Sequence, residues 1–436
     1  MPGLGPRIGG RRYRDAMSDA SPPVPVSNVG PVSKVGDPVS PVGDQSSPIR
    51  DWVIDADAHV TEPGDLWSSR LPAKLRDRGP QLRRDPKTQR DGWHLGDSTA
   101  FASVGHTAVA GWPDPFPSSP RNMDEVPLAA YDANARLAYL DEIGAWAQVM
   151  YPNVGGFGGQ GFLRLEDPEL QLACVRAYND FLTEWCSTDA RRLLPVSATP
   201  FWDVDAAVAE VTRCAGLGHR GVLFTGEPHR FGLPYLGDTH WDPLWAVAQE
   251  AGLPISFHIG SGDFLGDFSP ARLKAHGMGA VHVSTSVNLF LGNGMQIVEL
   301  LTCGLLTRFP ELKFVSVESG VGFLPFVLEA VDYAYGQSAM PRERPNDARP
   351  SEYFHRQVYG CTFFETDGLG HVVDAIGADN LLFETDYPHP ICLYGNVREV
   401  IDATFADQPD DVRRKVLWEN AAALYGVEVP ESVPGR

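Results

Sequence analysis

Beyond residue 130 the chain switches repeatedly between short apolar runs and longer stretches with helical spacing. The runs Ala147–Tyr151, Leu193–Ala198, Gly221–Phe224, Pro254–His258, Lys313–Glu318, 358–363 and Leu381–Asp386 have strand length and carry bulky or β-branched residues. One more run, Val53–Val60, lies far upstream and alternates apolar with polar positions. Between the runs, residues 131–143, 168–188, 203–217, 241–251, 287–308, 323–337 and 367–376 space their apolar side chains as helices do. Residues 396–406 and 410–425 close the chain in the same way. Asp167 before Pro168 predicts a helix start, because a carboxylate can cap the free N–H groups and proline suits the first helical position. Strands that alternate with helices in this number predict an α/β chain folded as a (β/α)8 TIM barrel, with a doubly wound open sheet as the alternative.

Three segments break the rhythm. Residues 1–50 are dominated by Pro, Gly, Ser and Val, as in Pro22–Pro23–Val24–Pro25, and predict a disordered tail ahead of a domain over 51–436; Met17 offers a later start. Residues 60–130 read as a long irregular insertion after the first strand, with Trp67, Trp93, Trp112 and Phe116 among many Pro and Gly residues. A loop of that length in a compact domain is usually functional, and its aromatics could wall a pocket. Residues 263–287 show no period and read as a lid loop carrying His276 and His282.

Charge and cysteine usage narrow the class. A net charge of -20 repels phosphates and excludes nucleic acid as the expected partner, leaving a small-molecule substrate. Six scattered cysteines without a C-x-x-C pair predict reduced thiols and a cytoplasmic setting. No apolar run approaches the roughly 20 residues that cross a bilayer, so no membrane is expected.

The chemistry gathers at strand ends. In Val53–Val60, simple alternation puts Asp55, Asp57 and His59 on one face, where burial is costly unless something such as a divalent cation satisfies them. The fifth strand ends in His258, the sixth in Glu318, and the eighth in Asp386 before Tyr387–Pro388–His389. Barrel active sites lie at the C-terminal ends of the strands, so these residues should converge. Asp57, His59, His258 and Asp386 are the expected ligands of one divalent metal per chain; nitrogen and oxygen donors without thiolate suit zinc, the first expectation, or manganese. Asp386, Glu318 and His258 are the catalytic candidates. Trp112, Phe116, Phe157, Phe290 and Tyr387 are candidate pocket walls, with His282 and Glu384 facing the pocket and His389 orienting a ligand.

Taken in order, Ile54–Asp55–Ala56–Asp57–Ala58–His59 with Glu62–Pro63, His258–Ile259–Gly260, Leu312–Lys313–Phe314–Val315 leading to Glu318–Ser319–Gly320, Asp386–Tyr387–Pro388–His389 and Trp418–Glu419–Asn420–Ala421–Ala422 resemble the amidohydrolase superfamily. The likeness is to its amidohydrolase-related group, which includes the aromatic-acid and aminocarboxymuconate semialdehyde decarboxylases. The resemblance implies a barrel, a single divalent metal, pairing as a homodimer, and either non-oxidative decarboxylation or hydrolysis. The chain departs from the pattern in three places. Asp57 stands where the superfamily commonly begins His-x-His and where the decarboxylase branch often has Glu. Glu318 stands where many relatives have a histidine, and Glu384 where they have a small residue. The expected function is decarboxylation of an aromatic or unsaturated carboxylic acid. Hydrolysis of a lactone, amide or C–C bond by metal-bound water is the alternative, and a non-catalytic binding barrel the third reading.

Overall fold

Eight apolar segments form the central sheet of the computed structural model, which describes residues 51–95, 102–262, 269–338 and 346–431. The barrel strands are β1 Val53–His59, β2 Ala145–Tyr151, β3 Leu193–Ser197, β4 Gly221–Leu223, β5 Ile255–His258, β6 Phe314–Val317, β7 Val358–Thr362 and β8 Leu381–Phe383. They pair in parallel and in chain order from β1 to β8. The ends of the sheet meet at an Ala58–Tyr387 bridge, with His59 N–H donating to the Tyr387 carbonyl at 2.7 Å and Asp386 N–H to the Asp57 carbonyl at 3.0 Å. The TIM barrel expected from the strand count is therefore the fold. The tail expected over 1–50 lies outside the described residues.

Alternation along the strands sorts the core into two layers. Ile54, Ala56, Val149, Tyr151, Leu194, Val196, Leu223, Val315, Val317 and Leu382 form an inner cluster closed by Ala421 and Tyr425 of the last helix. On β5 the residue in this layer is polar: Ser256 hydrogen-bonds the Tyr151 hydroxyl at 2.9 Å, as a buried hydroxyl requires. The remaining apolar side chains pack between strands and surrounding helices. Asp167 caps the helix Pro168–Cys186 through the N–H groups of Glu169 and Leu170, as its sequence position predicts.

Two expectations need correction. The insertion after β1 is not irregular throughout: Pro80–Arg84, Asp91–Leu95 and Ala102–Ser103 form an antiparallel sheet of their own, held by the Asp91–Arg84 pair. Nor is 263–287 a lid loop where it is described. Ser269 caps a helix that runs Pro270–Thr302, interrupted at Gly277, whose φ of 76° only glycine adopts freely. Its Val283, Val287 and Leu291 are exposed and Val281 is buried; the buried apolar stripe of Ile297, Leu300 and Leu301 comes only in its second half, so the first half has no buried stripe to read. Residues 263–268 lie outside the described residues. Among the described residues no helix is long and apolar enough to cross a membrane.

Candidate active site

The site begins with an irregularity in β1. Asp55 pairs with Gln148 and Ala58 with Met150, so β1 carries one residue more than β2 over this stretch. Such a bulge breaks the two-residue period. Ala56 stays in the inner layer and Ala58 packs in the outer one, while Asp55 turns away from Asp57 and His59. Its carboxylate accepts from Thr385 N–H (2.8 Å), Thr385 Oγ1 (2.5 Å), Gln148 Nε2 (2.7 Å) and Asp57 N–H (3.2 Å). The expectation that Asp55 shares a face with Asp57 and His59 is thus overturned: Asp55 joins β1 to the chain after β8. Burial raises its pKa to about 7. Beside it, the fully buried Arg136 donates to Gln148 Oε1 at 3.0 Å and to the His59 carbonyl at 2.7 Å, which fixes the end of β1.

Asp57, His59, His258, Glu318 and Asp386 do come together. His59 Nδ1 lies 3.0 Å from the Pro152 carbonyl and His258 Nδ1 2.9 Å from that of Ile259. A carbonyl only accepts, so each Nδ1 carries a hydrogen and each neutral ring turns a bare Nε2 inward. Those two Nε2 atoms are 3.2 Å apart. Asp57 Oδ1 lies 3.4 Å from His59 Nε2, and Asp57 Oδ2 3.5 Å from His258 Nε2. Asp386 Oδ1 is 3.5 Å from His59 Nε2, and Glu318 Oε2 3.5 Å from His258 Nε2. Both carboxylate oxygens of Asp57 and of Asp386 are buried without a well-directed hydrogen bond. Orphaned anionic oxygens and facing lone pairs in a dry site are unfavourable alone and suit a divalent cation. Asp57, His59, His258 and Glu318 form one group able to hold it; His59, Glu318, Asp386 and His389 form an overlapping one.

Without a cation, protons take over that neutralising role. Burial alone would lower the pKa of His258, but Asp57 and Glu318 outweigh it and raise it. Burial and then Asp57 push Asp386 well above the usual carboxylate range, and burial with Asp386 does the same for Glu318. His59 goes the other way, down to about 3, through burial and the neighbouring His389. The backbone is also constrained: Glu318 and Asp386 hold φ of 57° and 59°, a left-handed conformation that costs roughly 1–2 kcal/mol for residues other than glycine. Glu384 supports the first of these, accepting from Glu318 N–H at 3.0 Å, while its second oxygen stays buried without a partner.

The aromatic candidates divide. Phe157 stacks on His258 at 4.6 Å and meets His59 edge-on at 5.4 Å, covering the cluster. Phe116 of the insertion meets His282 of the long helix at 4.3 Å. Phe290 stacks on Phe364, just beyond β7, at 5.3 Å. Trp112 is half-buried and donates to Ser118 within its own loop. Tyr387 spends its ring on Tyr139 and Arg136, outside the cluster. His389 brings Nδ1 within 2.7 Å of Asp386 Oδ1, a close contact outside hydrogen-bond geometry, and stacks on His59 at 3.9 Å. Its other nitrogen meets Asn153, which sequence reasoning passed over. The strand-end rule reaches Asn153, two residues past β2, but it is neither carboxylate nor imidazole.

The family model described as amidohydrolase matches residues 54–427, which spans every barrel strand but the first residue of β1. The chain is 26% identical over 261 residues to a gamma-resorcylate decarboxylase of Polaromonas sp. strain JS666, covering 58% of this chain and 76% of that one. Among solved structures it is similar to an amidohydrolase, map2389c, from Mycobacterium avium subsp. paratuberculosis K-10, at 26% identity and a TM-score of 0.70, over 86% of this chain and 100% of that one. It shares its fold with a dihydroxybenzoic acid decarboxylase from Polaromonas sp. JS666 solved with manganese and 2-nitroresorcinol, at 20% identity and a TM-score of 0.57, over 87% of this chain and 98% of that one. With a family match over that span and the barrel in place, the chain belongs to the amidohydrolase family.

Proposed function

We propose that the chain is a metal-dependent decarboxylase of an ortho-hydroxylated aromatic acid. The observation that carries the reading is the convergence of Asp57, His59, His258, Glu318 and Asp386 with bare nitrogen and oxygen atoms facing one another. The similarity to gamma-resorcylate decarboxylases supplies the reaction class. Asp57, His59, His258 and Asp386 would hold one divalent metal, with Glu318 within reach. The oxygen-rich donor set suits manganese, with zinc as the alternative. When bound, the metal supplies Lewis acidity and a template for the substrate carboxylate and its neighbouring hydroxyl.

The chain's own residues do the rest. Phe157 closes the side of His258 to water and presents an aromatic face to the ring. Asp386, buried at the site beside His59 and His389, delivers a proton to the ring carbon that bears the carboxylate. The C–C bond then breaks, its electron pair returns to the ring, and carbon dioxide leaves. Asp386 is left as a carboxylate and regains a proton from solvent, one per turnover. The hydrolase reading would instead need Asp386 as a base. The test is carbon dioxide release from hydroxybenzoic acids by the manganese- or zinc-loaded protein, beside ester and amide hydrolysis. Release that depends on metal supports the reading; hydrolysis without release replaces it with the hydrolase.

A further inference from the structure

Three histidines meet at the site, and each is tied through one ring nitrogen to a fixed oxygen. His59 and His258 are tied through Nδ1 to backbone carbonyls. His389 is tied through the other nitrogen: Nε2 lies 2.7 Å from Asn153 Oδ1 in hydrogen-bond geometry. The Asn153 amide cannot be reversed, because its Nδ2 donates to the Val60 carbonyl at 2.9 Å and a carbonyl offers nothing to an oxygen. The backbone here is pinned as well, with the N–H groups of Asn153 and Val154 donating to the buried Glu62 carboxylate at 2.8 and 2.9 Å. The amide oxygen therefore faces His389, and Nε2 carries the ring hydrogen.

We propose that Asn153 is a positioning residue that holds His389 as its Nε2–H tautomer, the reverse of His59 and His258, so that Nδ1 is turned toward Asp386 as an acceptor. Asp386 Oδ1 is 2.7 Å from that Nδ1. The contact lies outside hydrogen-bond geometry, so what the tautomer fixes is the ring atom that stands beside the carboxyl group: a bare lone pair in place of an N–H. Asn153 and Glu62 thus set which ring atom of His389 stands beside the residue proposed to deliver the proton. That consequence rests on the decarboxylation reading, whereas the tautomer of His389 does not.

The deciding measurement is ring-nitrogen NMR of the full chain, labelled with 15N-histidine and loaded with diamagnetic zinc. The His389 signals are identified by their loss in His389→Gln. We expect hydrogen on Nε2 and an acceptor-type shift at Nδ1 in the wild type. Asn153→Asp, which keeps an acceptor in place, should preserve this pattern, and Asn153→Ala should lose it. In turnover, Asn153→Ala should lower kcat by about 10–100-fold with a much smaller change in KM, and Asn153→Asp should recover most of it. Hydrogen on Nδ1 of the wild-type His389 overturns the proposal with no variant needed, as do ring signals and kcat unmoved by Asn153→Ala. Absence of any decarboxylation sinks the functional reading instead and leaves the NMR result to decide the tautomer.

Discussion

His59 and His258 point their Nε2 atoms at each other across 3.2 Å, each with its Nδ1 hydrogen committed to a backbone carbonyl. Neutral imidazoles in that arrangement repel unless a cation or a proton lies between them. Metal and proton should therefore compete for the same place. Manganese or zinc at about 100 times its dissociation constant should add about 2.7 kcal/mol to stability and raise the melting temperature measurably. Chelation should reverse the shift, and His258→Ala should abolish it. Differential scanning calorimetry with metal analysis checks this, and a melting temperature indifferent to metal would count against the site.

Asp386→Asn keeps the shape of the side chain and removes its proton. Carbon dioxide release should fall by about 10²–10⁴-fold, the usual contribution of a placed general acid. Because Asp57, His59 and His258 remain, most of the bound metal should stay. Elemental analysis beside the rate measurement separates these effects; metal lost in step with the rate would make Asp386 chiefly a ligand.

Phe157→Ala removes the ring lying over His258. Aromatic stacking is worth about 0.5–1.5 kcal/mol, so KM for an aromatic acid should rise by up to about tenfold. Steady-state kinetics with an aromatic and an unsaturated aliphatic acid tests this, since only the aromatic acid should suffer the full loss.

Away from the metal cluster, His219 should contribute to an acid transition. Burial, reinforced by Arg213, lowers its pKa from 6.5 to about 4. Thr183 accepts from its Nε2, because the threonine hydroxyl hydrogen is already given to the Asn179 carbonyl. The unfolded chain thus binds the extra proton first as pH falls. This contribution is complete above pH 6.5 and drains away between pH 6.5 and 4, by on the order of 3 kcal/mol. Urea unfolding across that window should be less steep in pH for His219→Gln than for the wild type.

Asp55→Ala would leave the donors of Thr385, Gln148 and Asp57 without their acceptor in a buried setting. We expect a loss of roughly 3 kcal/mol or more, read by chemical denaturation of the metal-loaded protein.

Much of this molecule was legible because a barrel turns sequence order into spatial order. Polar residues that close apolar runs, such as His258, Glu318 and Asp386, must meet at one mouth once the runs are strands. Asp55 was misread because alternation assumes an unbroken period, and nothing in Val53–Val60 announces the extra residue. The helix through residues 270–287 was missed because most of its apolar side chains, Val281 apart, are not buried. Asn153 was missed because it acts through orientation, and an amide at a strand end carries none of the signals by which acids, bases and ligands are recognised. Tyr387 reads from the sequence as an aromatic pocket wall, yet its ring sits with Arg136 and Tyr139.

The junction between β1 and β8 has a bearing on how the protein comes into being. Asp57 and His59 lie among the first described residues of the chain and Asp386 near its end, and they become neighbours only across that junction. A chain still emerging from the ribosome has the first two long before the third. The proposed site is thus complete only in a finished barrel: a chain truncated before β8 lacks Asp386, its proposed proton donor. Activity, more than metal uptake, should then come late in synthesis and mark the moment at which the two ends of the sheet have found each other.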